Sequence, residues 1–400
     1  MRFLKQISGH ETVAGEHNAE PNSAPEAATD SIHALVGKYP GLWSGDFLYE
    51  SDNIQSRWTM IHEAETEWDR GALVQLMWHA CPPTCGEPCS WEGSCGVLSH
   101  LTNSQWDSLI TDGTVLNNNW KNEIDHIVPY LKYLKDNGVE VLFRPLHEMN
   151  QSAFWWGGRP GPNGTARLYQ ITHDYLVKTK GLTNLIWEWD LQDFSTLSSD
   201  VNTYDPGSSY WDILLLDVYG SDGTMYTTSK YSIILNKAGD KPIAIGECGQ
   251  LPSDATLLQQ PRWTFFMAWP TLVFKDNTAG QIRSLYNSQN VITLGQMPGW
   301  NATGIQGQIW GRPPSMQLYQ NYPNPSNPTT LIPYDVVMSS FVTLKIYDLL
   351  GRHIETLVSA YKSPGEYQVT FDGSALPSGV YLYRLTAGGY SRTRKLVLLR

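Results

Sequence analysis

Eight short apolar runs follow one another between residue 3 and residue 269, and polar, glycine or proline residues bound each of them. The runs have strand length and are rich in β-branched and aromatic residues, which is typical of strands with two buried faces. We therefore predict eight strands, at Phe3–Ser8, Leu42–Leu48, Leu73–His79, Glu140–Pro145, Leu185–Trp189, Asp212–Tyr219, Pro242–Gly246 and Thr264–Trp269.

Several of the intervals between these runs have helical apolar spacing and end in glycine or asparagine, the usual helix stop signals. The predicted helices are Ile54–Arg70, Asn119–Asn137, Thr165–Lys180 and Thr227–Ala238. Strands that alternate with helices indicate parallel β/α units, and eight units predict an α/β fold of the (β/α)8 TIM-barrel type. An open doubly wound sheet is the alternative, but the chain has no G-x-G-x-x-G or P-loop glycine motif.

The pattern changes after Trp300. The stretch GRPPSMQLYQNYPNPSNPTTLIPY holds six prolines, and short alternating strands with turn signals follow it. Such spacing is typical of a small all-β, Ig-like sandwich. We predict a barrel over residues 1–300, a proline-rich linker over 301–325 and the sandwich over 326–400.

Net charge and residue composition limit the classes of partner and substrate that the chain can bind. The net charge of −11, without a basic stripe, argues against nucleic acid as a partner, and no stretch is apolar for long enough to span a bilayer. The chain has 16 Trp and 21 Tyr against 10 Phe. Trp and Tyr combine an apolar face with a polar group, which suits sugar rings, although core packing explains most of them.

Four of the five cysteines fall in one loop, CPPTCGEPCSWEGSC, as Cys81, Cys85, Cys89 and Cys95. Their spacing does not match the paired C-x-x-C of common zinc sites, so disulfides in an oxidising compartment are favoured over a metal. The pairing stays open. Cys248 lies within an apolar run and is expected to be a buried, inert thiol.

Polar and aromatic side chains accumulate where the predicted strands end, and in a barrel the C-terminal strand ends form the active site. These residues are His79, Arg144, His147, Glu148, Asn150, Glu188, Asp190, Asp217, Tyr219, Asp222, Glu247 and Trp269. Two carboxyl groups that face each other across a barrel indicate glycoside hydrolysis. Glu148 and Glu247 end the fourth and seventh strands, and a retaining enzyme places such a pair ~5–5.5 Å apart.

Two other hydrolase types do not fit. His147-Glu148 resembles the start of the zinc-protease motif H-E-x-x-H, but residue 151 is Gln. No G-x-S-x-G elbow is present for a serine nucleophile. The two-carboxylate reaction requires no metal and no organic cofactor.

FRPLHEMN followed by FWWGG resembles glycoside hydrolase family 26, whose best-known members are endo-β-1,4-mannanases. ISGHE, WHA, WDILLLDVYG and IAIGECG follow that family's order, over about residues 5 to 300. The resemblance implies a retaining barrel with Glu148 as acid/base and Glu247 as nucleophile. It also implies substrate-binding roles for His79, Arg144, His147, Trp155, Trp156, Asp212, Tyr219 and Trp269, with Tyr219 hydrogen-bonded to the nucleophile and Trp269 as a sugar platform.

Two departures from the family pattern concern substrate binding. Gln151-Ser152-Ala153 stands where family members often have Gly-x-Trp, and the loop after His79 carries the cysteines. The family also contains enzymes for β-1,3-xylan and mixed-linkage glucan. Mannan, galactomannan or glucomannan is the expected substrate, with another β-glycan or a non-catalytic glycan-binding role as alternatives. The catalytic pair and Tyr219 are retained, which favours an enzyme.

Residues 318–400 resemble a type IX secretion sorting domain, through YQNYPNPSNPTTLIPY, IYDLLGRHIETLV, SGVYLYRLTAGG and the basic ending Arg394-Lys395. The resemblance implies a secreted or cell-surface bacterial protein, with the secretion machinery as a partner. The N-terminus lacks the apolar core of a signal peptide, so a lost signal is expected. We expect a monomer.

Overall fold

The polypeptide forms two units, residues 1–300 and residues 301–400. The computed structural model describes residues 1–18, 20–300, 317–336, 340–362, 365–387 and 390–399. Each unit has a hydrophobic core of its own. Within the described residues, no helix combines the length and the apolarity needed to cross a membrane.

The first unit is a closed barrel of eight parallel strands, which confirms the predicted fold class. The strands are β1 (Thr12–His17), β2 (Leu42–Asp46), β3 (Leu73–Trp78), β4 (Val141–Pro145), β5 (Leu185–Gln192), β6 (Ile213–Val218), β7 (Ile243–Cys248) and β8 (Trp263–Ala268). Each strand pairs with the next one, and β1 closes the barrel by pairing with both β2 and β8. A short strand, β9 (Val291–Ile292), extends the pairing at β1.

Helices surround the barrel and close its N-terminal end. They are α1 (Arg2–Ile7), α2 (Ala27–Val36), α3 (Ser51–Gln55), α4 (Arg57–Asp69), α5 (Asn103–Ile110), α6 (Val115–Asp136), α7 (Thr165–Asp174), α8 (Leu197–Thr203), α9 (Thr228–Ala238), α10 (Asp254–Gln259), α11 (Pro270–Asp276) and α12 (Ala279–Tyr286). A π-helical turn, Tyr175–Thr179, follows α7. Capping boxes start α5 at Thr102 and α12 at Thr278, because the side chains there satisfy otherwise unpaired backbone N–H groups.

One predicted strand is wrong. Phe3–Ser8 forms helix α1, and the first strand is Thr12–His17 instead. The two fully inward residues of this segment, Leu4 and Ile7, are three positions apart, which is the spacing of a helix face and not the alternation of a strand. They pack against the inward side chains of the barrel strands, so α1 closes the N-terminal end of the barrel.

Strand alternation makes the barrel interior apolar at one end and charged at the other. Val13, Leu142 and Leu215 point into the apolar interior cluster. Side chains two positions further along a strand point to the same face. Arg144 and Asp217 lie two positions after Leu142 and Leu215, and His17 lies four positions after Val13, so all three share the inward face. They lie toward the C-terminal ends of the strands.

The second unit is all-β. Its strands are β10 (Gln317–Leu318), β11 (Thr329–Val336), β12 (Ser340–Tyr347), β13 (His353–Lys362), β14 (Gly365–Asp372), β15 (Gly379–Ala387) and β16 (Tyr390–Leu398). They form antiparallel sheets with the orders β10-β11-β14 and β13-β12-β15-β16, and side chains from both sheets share one core. Of the predicted linker 301–325, residues 301–316 lie outside the described residues.

Candidate active site

Arg144 is the centre of a buried charge cluster at the C-terminal end of the barrel. Its guanidinium donates to Glu247 Oε1 at 2.5 Å, to Asp190 Oδ2 at 2.5 Å and to Asp217. The side chain is completely buried. Burial alone would lower the pKa of Arg144, but the three carboxylates raise it well above its usual value, so the guanidinium stays charged.

Glu247 ends β7 and is held from two sides. Tyr219, just after the end of β6, donates its hydroxyl to Glu247 Oε2 at 2.7 Å, while Arg144 donates to Oε1. The pairing of β6 with β7 shifts register between Leu216 and Asp217, an irregularity of the kind that re-aims side chains beside active sites. Burial and the nearby Glu247 raise the pKa of Tyr219, so the phenol remains a donor.

The backbone after β4 holds Glu148 in an unusual conformation. Glu148 has a φ of 48°, and Leu146 a φ of 53°, in the left-handed region that side chains other than glycine rarely adopt. The Glu148 N–H donates to Asp190 Oδ2 at 2.9 Å, and the Glu148 carbonyl accepts from Gln151 N at 2.8 Å. These contacts stabilise a turn that projects the Glu148 carboxyl group into the barrel mouth.

The Glu148 carboxyl group is buried beside other acids. A Glu148 oxygen lies within 4.8 Å of carboxylate oxygens of both Asp217 and Glu247. Burial first, and then the negative charges of Glu247 and Asp190, raise the pKa of Glu148 well above its usual value. Glu148 is therefore protonated under conditions in which an exposed glutamate is ionised.

Two amide side chains face the Glu148 carboxyl group. The Gln151 amide donates to Glu148 Oε2. Gln192, at the end of β5, donates to Glu148 Oε1 at 2.7 Å when its amide nitrogen is turned toward the carboxyl group. Amides can donate to a carboxylate and accept from a carboxylic acid, so this pair can serve Glu148 in both protonation states.

Asp217 is a third buried acid close to the two glutamates. Burial is the main factor that raises its pKa, and the neighbouring acids add to the effect while Arg144 opposes it. Its Oδ1 atom has no hydrogen-bond partner among the described residues. An added Cβ at Gly246 would come within 2.5 Å of that oxygen, so glycine at position 246 makes room for the Asp217 carboxyl group.

Three histidines, His17, His79 and His147, line the barrel mouth near the two glutamates. His79 bonds to Asp46 through Nδ1 and donates its backbone N–H to the same carboxylate at 3.1 Å, while the His79 and His147 rings lie 4.4 Å apart, edge to face. His17 stacks on Trp269 with ring centroids 4.5 Å apart. Burial lowers the pKa of His147 and lowers that of His17 to about 3, so these two rings are neutral.

A buried ion pair fixes the loop that carries Tyr219. Asp193 accepts from the backbone N–H groups of Gly220 and Ser221 at 2.9 and 3.1 Å. Lys230, on α9, donates to the same carboxylate at 2.8 Å and is almost completely buried. The pair therefore restricts the position of Tyr219 relative to Glu247.

The four loop cysteines form disulfides, as predicted, and the pairs are Cys81–Cys89 and Cys85–Cys95. Cys248 is a buried free thiol. The loop therefore uses all its thiols in covalent links and has none for a metal.

The prediction for Asp212 is wrong. Asp212 immediately precedes β6 and pairs with Trp187 near the start of β5, accepting from its backbone N–H at 2.9 Å. Tyr219 lies at the opposite end of β6, roughly 20 Å away for a strand of this length. Asp212 therefore lies at the N-terminal end of the barrel, away from the mouth.

Trp155 and Trp156 lie beneath the mouth instead of lining it. They are 1% and 0% exposed, which leaves no surface for a sugar ring. Trp155 donates to the Ala80 carbonyl at 2.8 Å, and Trp156 to the His147 carbonyl at 2.9 Å. The prediction that they bind substrate is corrected to a supporting role under His147 and the disulfide loop.

The sequence patterns did not point to His17, Asp46 or Gln192. ISGHE places His10 at the turn after α1, before β1 begins, whereas His17 ends β1 and contacts Trp269. Each missed residue stands at or near the end of a strand. A correct boundary for β1 would have pointed to His17.

Two groups among the described residues bring three potential metal ligands together. Glu148, Asp217 and Glu247 form one group, and Glu87, Glu123 and His126 form the other. Each already has a guanidinium partner, because Arg144 contacts the first group and Arg57 binds Glu87 at 2.6 Å in the second. Arg144 and Arg57 therefore compensate part of the negative charge in each group.

Comparison with known families agrees with the fold. Residues 1–296 match the family described as glycosyl hydrolase family 26. Residues 320–399 match the secretion system C-terminal sorting domain. The sorting domain indicates type IX secretion, so the protein is secreted or displayed on a bacterial cell surface.

Similar proteins and structures share the barrel region. A mannan endo-1,4-β-mannosidase of Thermothelomyces thermophilus is 30% identical over 319 residues, which cover 74% of this chain and 60% of that protein. One from Bacillus subtilis is 31% identical over 256 residues, 60% of this chain and 66% of that protein. The chain thus spans about 60% of the length of the first of these relatives.

Among solved structures, GH26A from Muricauda sp. MAR_2010_75 is 33% identical with a TM-score of 0.69, covering 74% of this chain and 95% of that one. A β-mannanase from a symbiotic protist of the termite Reticulitermes speratus, solved with a gluco-manno-oligosaccharide, is 25% identical with a TM-score of 0.64. The match covers 74% of this chain and 93% of that one.

Proposed function

The chain belongs to glycosyl hydrolase family 26, and from this membership we propose that it is a retaining, endo-acting hydrolase of β-1,4-mannosidic bonds. Glu148 is the proposed acid/base and Glu247 the proposed nucleophile. Mannan, galactomannan and glucomannan are the proposed substrates, since the similar proteins named above are mannan endo-1,4-β-mannosidases.

The spacing of the two glutamates carries the proposal. Their nearest oxygens lie within 4.8 Å of each other. Retaining enzymes hold the two carboxyl groups about 5–5.5 Å apart, whereas inverting enzymes need about 6.5–9.5 Å to admit a water molecule. The observed separation favours direct attack by one carboxylate on the sugar.

The two glutamates also differ in their partners as the reaction requires. Glu247 accepts from Arg144 and Tyr219, two donors that compensate a negative charge and aim its oxygens. Among the described residues, Glu148 forms no ion pair, and its raised pKa keeps it protonated. The first arrangement suits a nucleophile and the second a general acid.

In the first step, Glu247 attacks the anomeric carbon while Glu148 gives its proton to the departing glycosidic oxygen. The bond to the leaving sugar breaks, and a covalent glycosyl–Glu247 ester forms. In the second step, ionised Glu148 takes a proton from water, the water oxygen attacks the anomeric carbon, and Glu247 leaves. Both steps invert the carbon, so the net configuration is retained.

The histidine wall and Trp269 form the proposed sugar contacts. Neutral His147 and the Asp46-bound His79 offer hydrogen bonds beside Glu148, and Trp269 stacked on His17 offers an aromatic face. Arg144 and Tyr219 act on Glu247 itself. Asp212, Trp155 and Trp156 have no part in this assignment.

The departure at Gln151-Ser152-Ala153 keeps a second substrate class open. Ala153 stands where family members often have a tryptophan, and Gln151 contacts Glu148 directly. The same chemistry on β-1,3-xylan or mixed-linkage glucan is therefore the alternative.

A reducing-sugar assay tests the function. The full chain, with its four loop cysteines first shown to be oxidised, is incubated with galactomannan, glucomannan, mixed-linkage β-glucan and β-1,3-xylan. Release from the two mannans supports the proposal. Release from one of the other polymers alone would support the same reaction on a different substrate. Release from no polymer would contradict an enzymatic function.

A further inference from the structure

The disulfide loop carries an exposed aromatic side chain, Trp91, for which the proposed mechanism has no use. Its side chain is 40% exposed. Within residues 1–18 and 20–300, the other exposed large apolar side chains, Trp58, Val115, Leu258 and Phe274, all lie on outer helices. Trp91 alone lies on a loop at the C-terminal ends of the strands.

Ring contacts connect Trp91 with the catalytic centre. The Trp91 ring lies 5.6 Å from the His79 ring and 6.0 Å from the Phe154 ring, measured between centroids. His79 in turn contacts His147, the residue before Glu148. A series of ring contacts therefore runs from His147, beside the acid/base residue, outward to Trp91.

The loop has neither helix nor strand, yet it is tightly constrained around Trp91. The Cys81–Cys89 and Cys85–Cys95 bridges overlap in sequence, and the second encloses residue 91. The Trp91 carbonyl accepts from Leu98 N at 2.9 Å. Such cross-links lower the entropic cost of holding a loop in one conformation.

We propose that Trp91 is a stacking platform for a pyranose ring of the polysaccharide, at a subsite outside the one in which the bond is cleaved. The two disulfides hold this platform in position. The inference rests on the proposed function, since it assigns a subsite of the same cleft. An indole offers a flat apolar face to the C–H face of a sugar and leaves the sugar hydroxyls in water.

The test compares Trp91→Ala with Trp58→Ala in the full chain. Trp58 is 42% exposed on α4, so it matches Trp91 in exposure but lies on the outer helical surface. We expect Trp91→Ala to raise KM for galactomannan about tenfold, equivalent to about 1.4 kcal/mol, with a much smaller change in kcat. Trp58→Ala should leave both constants at the wild-type values.

Two further variants distinguish loss of the stacking surface from a general disturbance of the loop. One is a conservative change of Trp91, and the other removes one disulfide. Trp91→Tyr keeps an aromatic face and should recover most of the affinity. Cys85→Ser with Cys95→Ser should raise KM in the wild-type background but add little to Trp91→Ala, because both changes remove the same platform. Equal KM values for Trp91→Ala and Trp58→Ala would overturn the platform, and fully additive effects would overturn the role of the bridges.

Retardation of the same proteins in native gels that contain galactomannan gives a readout independent of catalysis. Retardation of the wild type but not of Trp91→Ala would support Trp91 as a sugar-binding platform. This result would stand even if no sugar were released, in which case only the proposed hydrolysis would be rejected. If the wild type hydrolyses mannan and Trp91→Ala behaves as wild type in both assays, the proposed function stands and the platform is wrong.

Discussion

At the scale of single residues, the site depends on how one guanidinium is shared among several acids. Arg144 contacts Asp190, Asp217 and Glu247, so it cannot neutralise all the carboxyl groups if every one is ionised. The raised pKa values of Asp217 and Glu148 mean that these two acids hold protons. Of the two glutamates, Glu247 is the one on which the donors of both Arg144 and Tyr219 converge.

Glu247→Ala tests the nucleophile. The variant should lose kcat by about 10⁴-fold or more, because the covalent intermediate cannot form and residues that act as a unit fail together. Native-gel retardation by galactomannan should remain close to that of the wild type. Single-turnover and steady-state sugar release measure the loss, and hydrolysis at the wild-type rate would reject Glu247 as nucleophile.

Glu148→Gln tests the acid. Hydrolysis of mannan should fall by about 10²–10⁴-fold, the usual contribution of a positioned general acid. An aryl β-mannoside with a good leaving group needs no proton in the first step, so its burst of phenol release should persist. The alkaline limb of the wild-type pH profile on mannan, which reports deprotonation of Glu148, should be absent from that burst. Equal losses on both substrates would contradict the assignment.

Glu16 provides a test of stability away from the reaction. It is fully buried, and both carboxylate oxygens lack a partner among the described residues. Burial raises its pKa well above 4.5, so the folded state retains a proton that the unfolded state loses once the pH exceeds about 4.5. Folding stability therefore falls as the pH rises from there toward the folded-state pKa, by up to about 1.4 kcal/mol per pH unit.

Glu16→Gln should remove this part of the pH dependence. Urea unfolding between pH 4.5 and pH 8 measures the free energy of unfolding of the variant against that of the wild type. The difference between them should move in favour of the variant as the pH rises. Glu92→Gln, on the exposed part of the disulfide loop, is the control and should follow the wild type. Parallel curves for Glu16→Gln and wild type would show that Glu16 is ionised in the folded protein.

At the scale of elements, each strand contributes an apolar interior residue near its start and a functional group near its end. In β4 these are Leu142 and Arg144, and in β6 they are Leu215 and Asp217. The two-residue period of a strand forces both onto the same face. Helix α1 belongs to this arrangement, because Leu4 and Ile7 cover the apolar end of the interior.

Leu4→Ala tests the role of α1. Leu4 is 0% exposed, and removing such a side chain from a packed interior costs about 2–5 kcal/mol. Arg2→Ala, on the exposed side of the same helix, should change the free energy of unfolding by less than about 0.5 kcal/mol. Chemical denaturation measures both. Since α1 closes the end of the barrel opposite to the mouth, kcat should be unchanged; a loss of kcat in the folded Leu4→Ala protein would contradict this placement.

At the scale of the whole molecule, the chain consists of two units with separate hydrophobic cores. All the proposed catalytic residues lie in the barrel, and the sorting domain lies in the second unit. Separate cores allow separate folding.

A chain that ends at Trp300 should therefore fold and keep kcat and KM for galactomannan within about twofold of the full-length values, on the expectation that domains with their own cores fold alone. Expression in a bacterium with type IX secretion should leave the shortened protein inside the cell envelope. Circular dichroism, the sugar-release assay and fractionation measure these outcomes. Loss of folding would show that the second unit stabilises the barrel.

Local sequence patterns determined much of this protein. Short apolar runs identified β2 to β8, since a strand's length and composition are local properties. The acids and Arg144 at the ends of these runs pointed to the barrel mouth, because parallel strands bring their carboxyl ends together. The segments around Glu148 and Glu247 were specific enough to indicate the family, and clustered cysteines indicated disulfides.

Only the tertiary structure decided which side chains reach the mouth and how they are paired. Asp212 begins its strand, so the direction of β6 places it at the far end. Trp155 and Trp156 are covered by packing that no local pattern reveals, and the cysteine pairing depends on how the loop returns over Tyr49. His17 contacts Trp269, and Asp46 and Trp91 both contact His79, and all these partners are distant in sequence. A linear pattern records what each element is, whereas burial, pairing and charge compensation depend on what lies next to it in space.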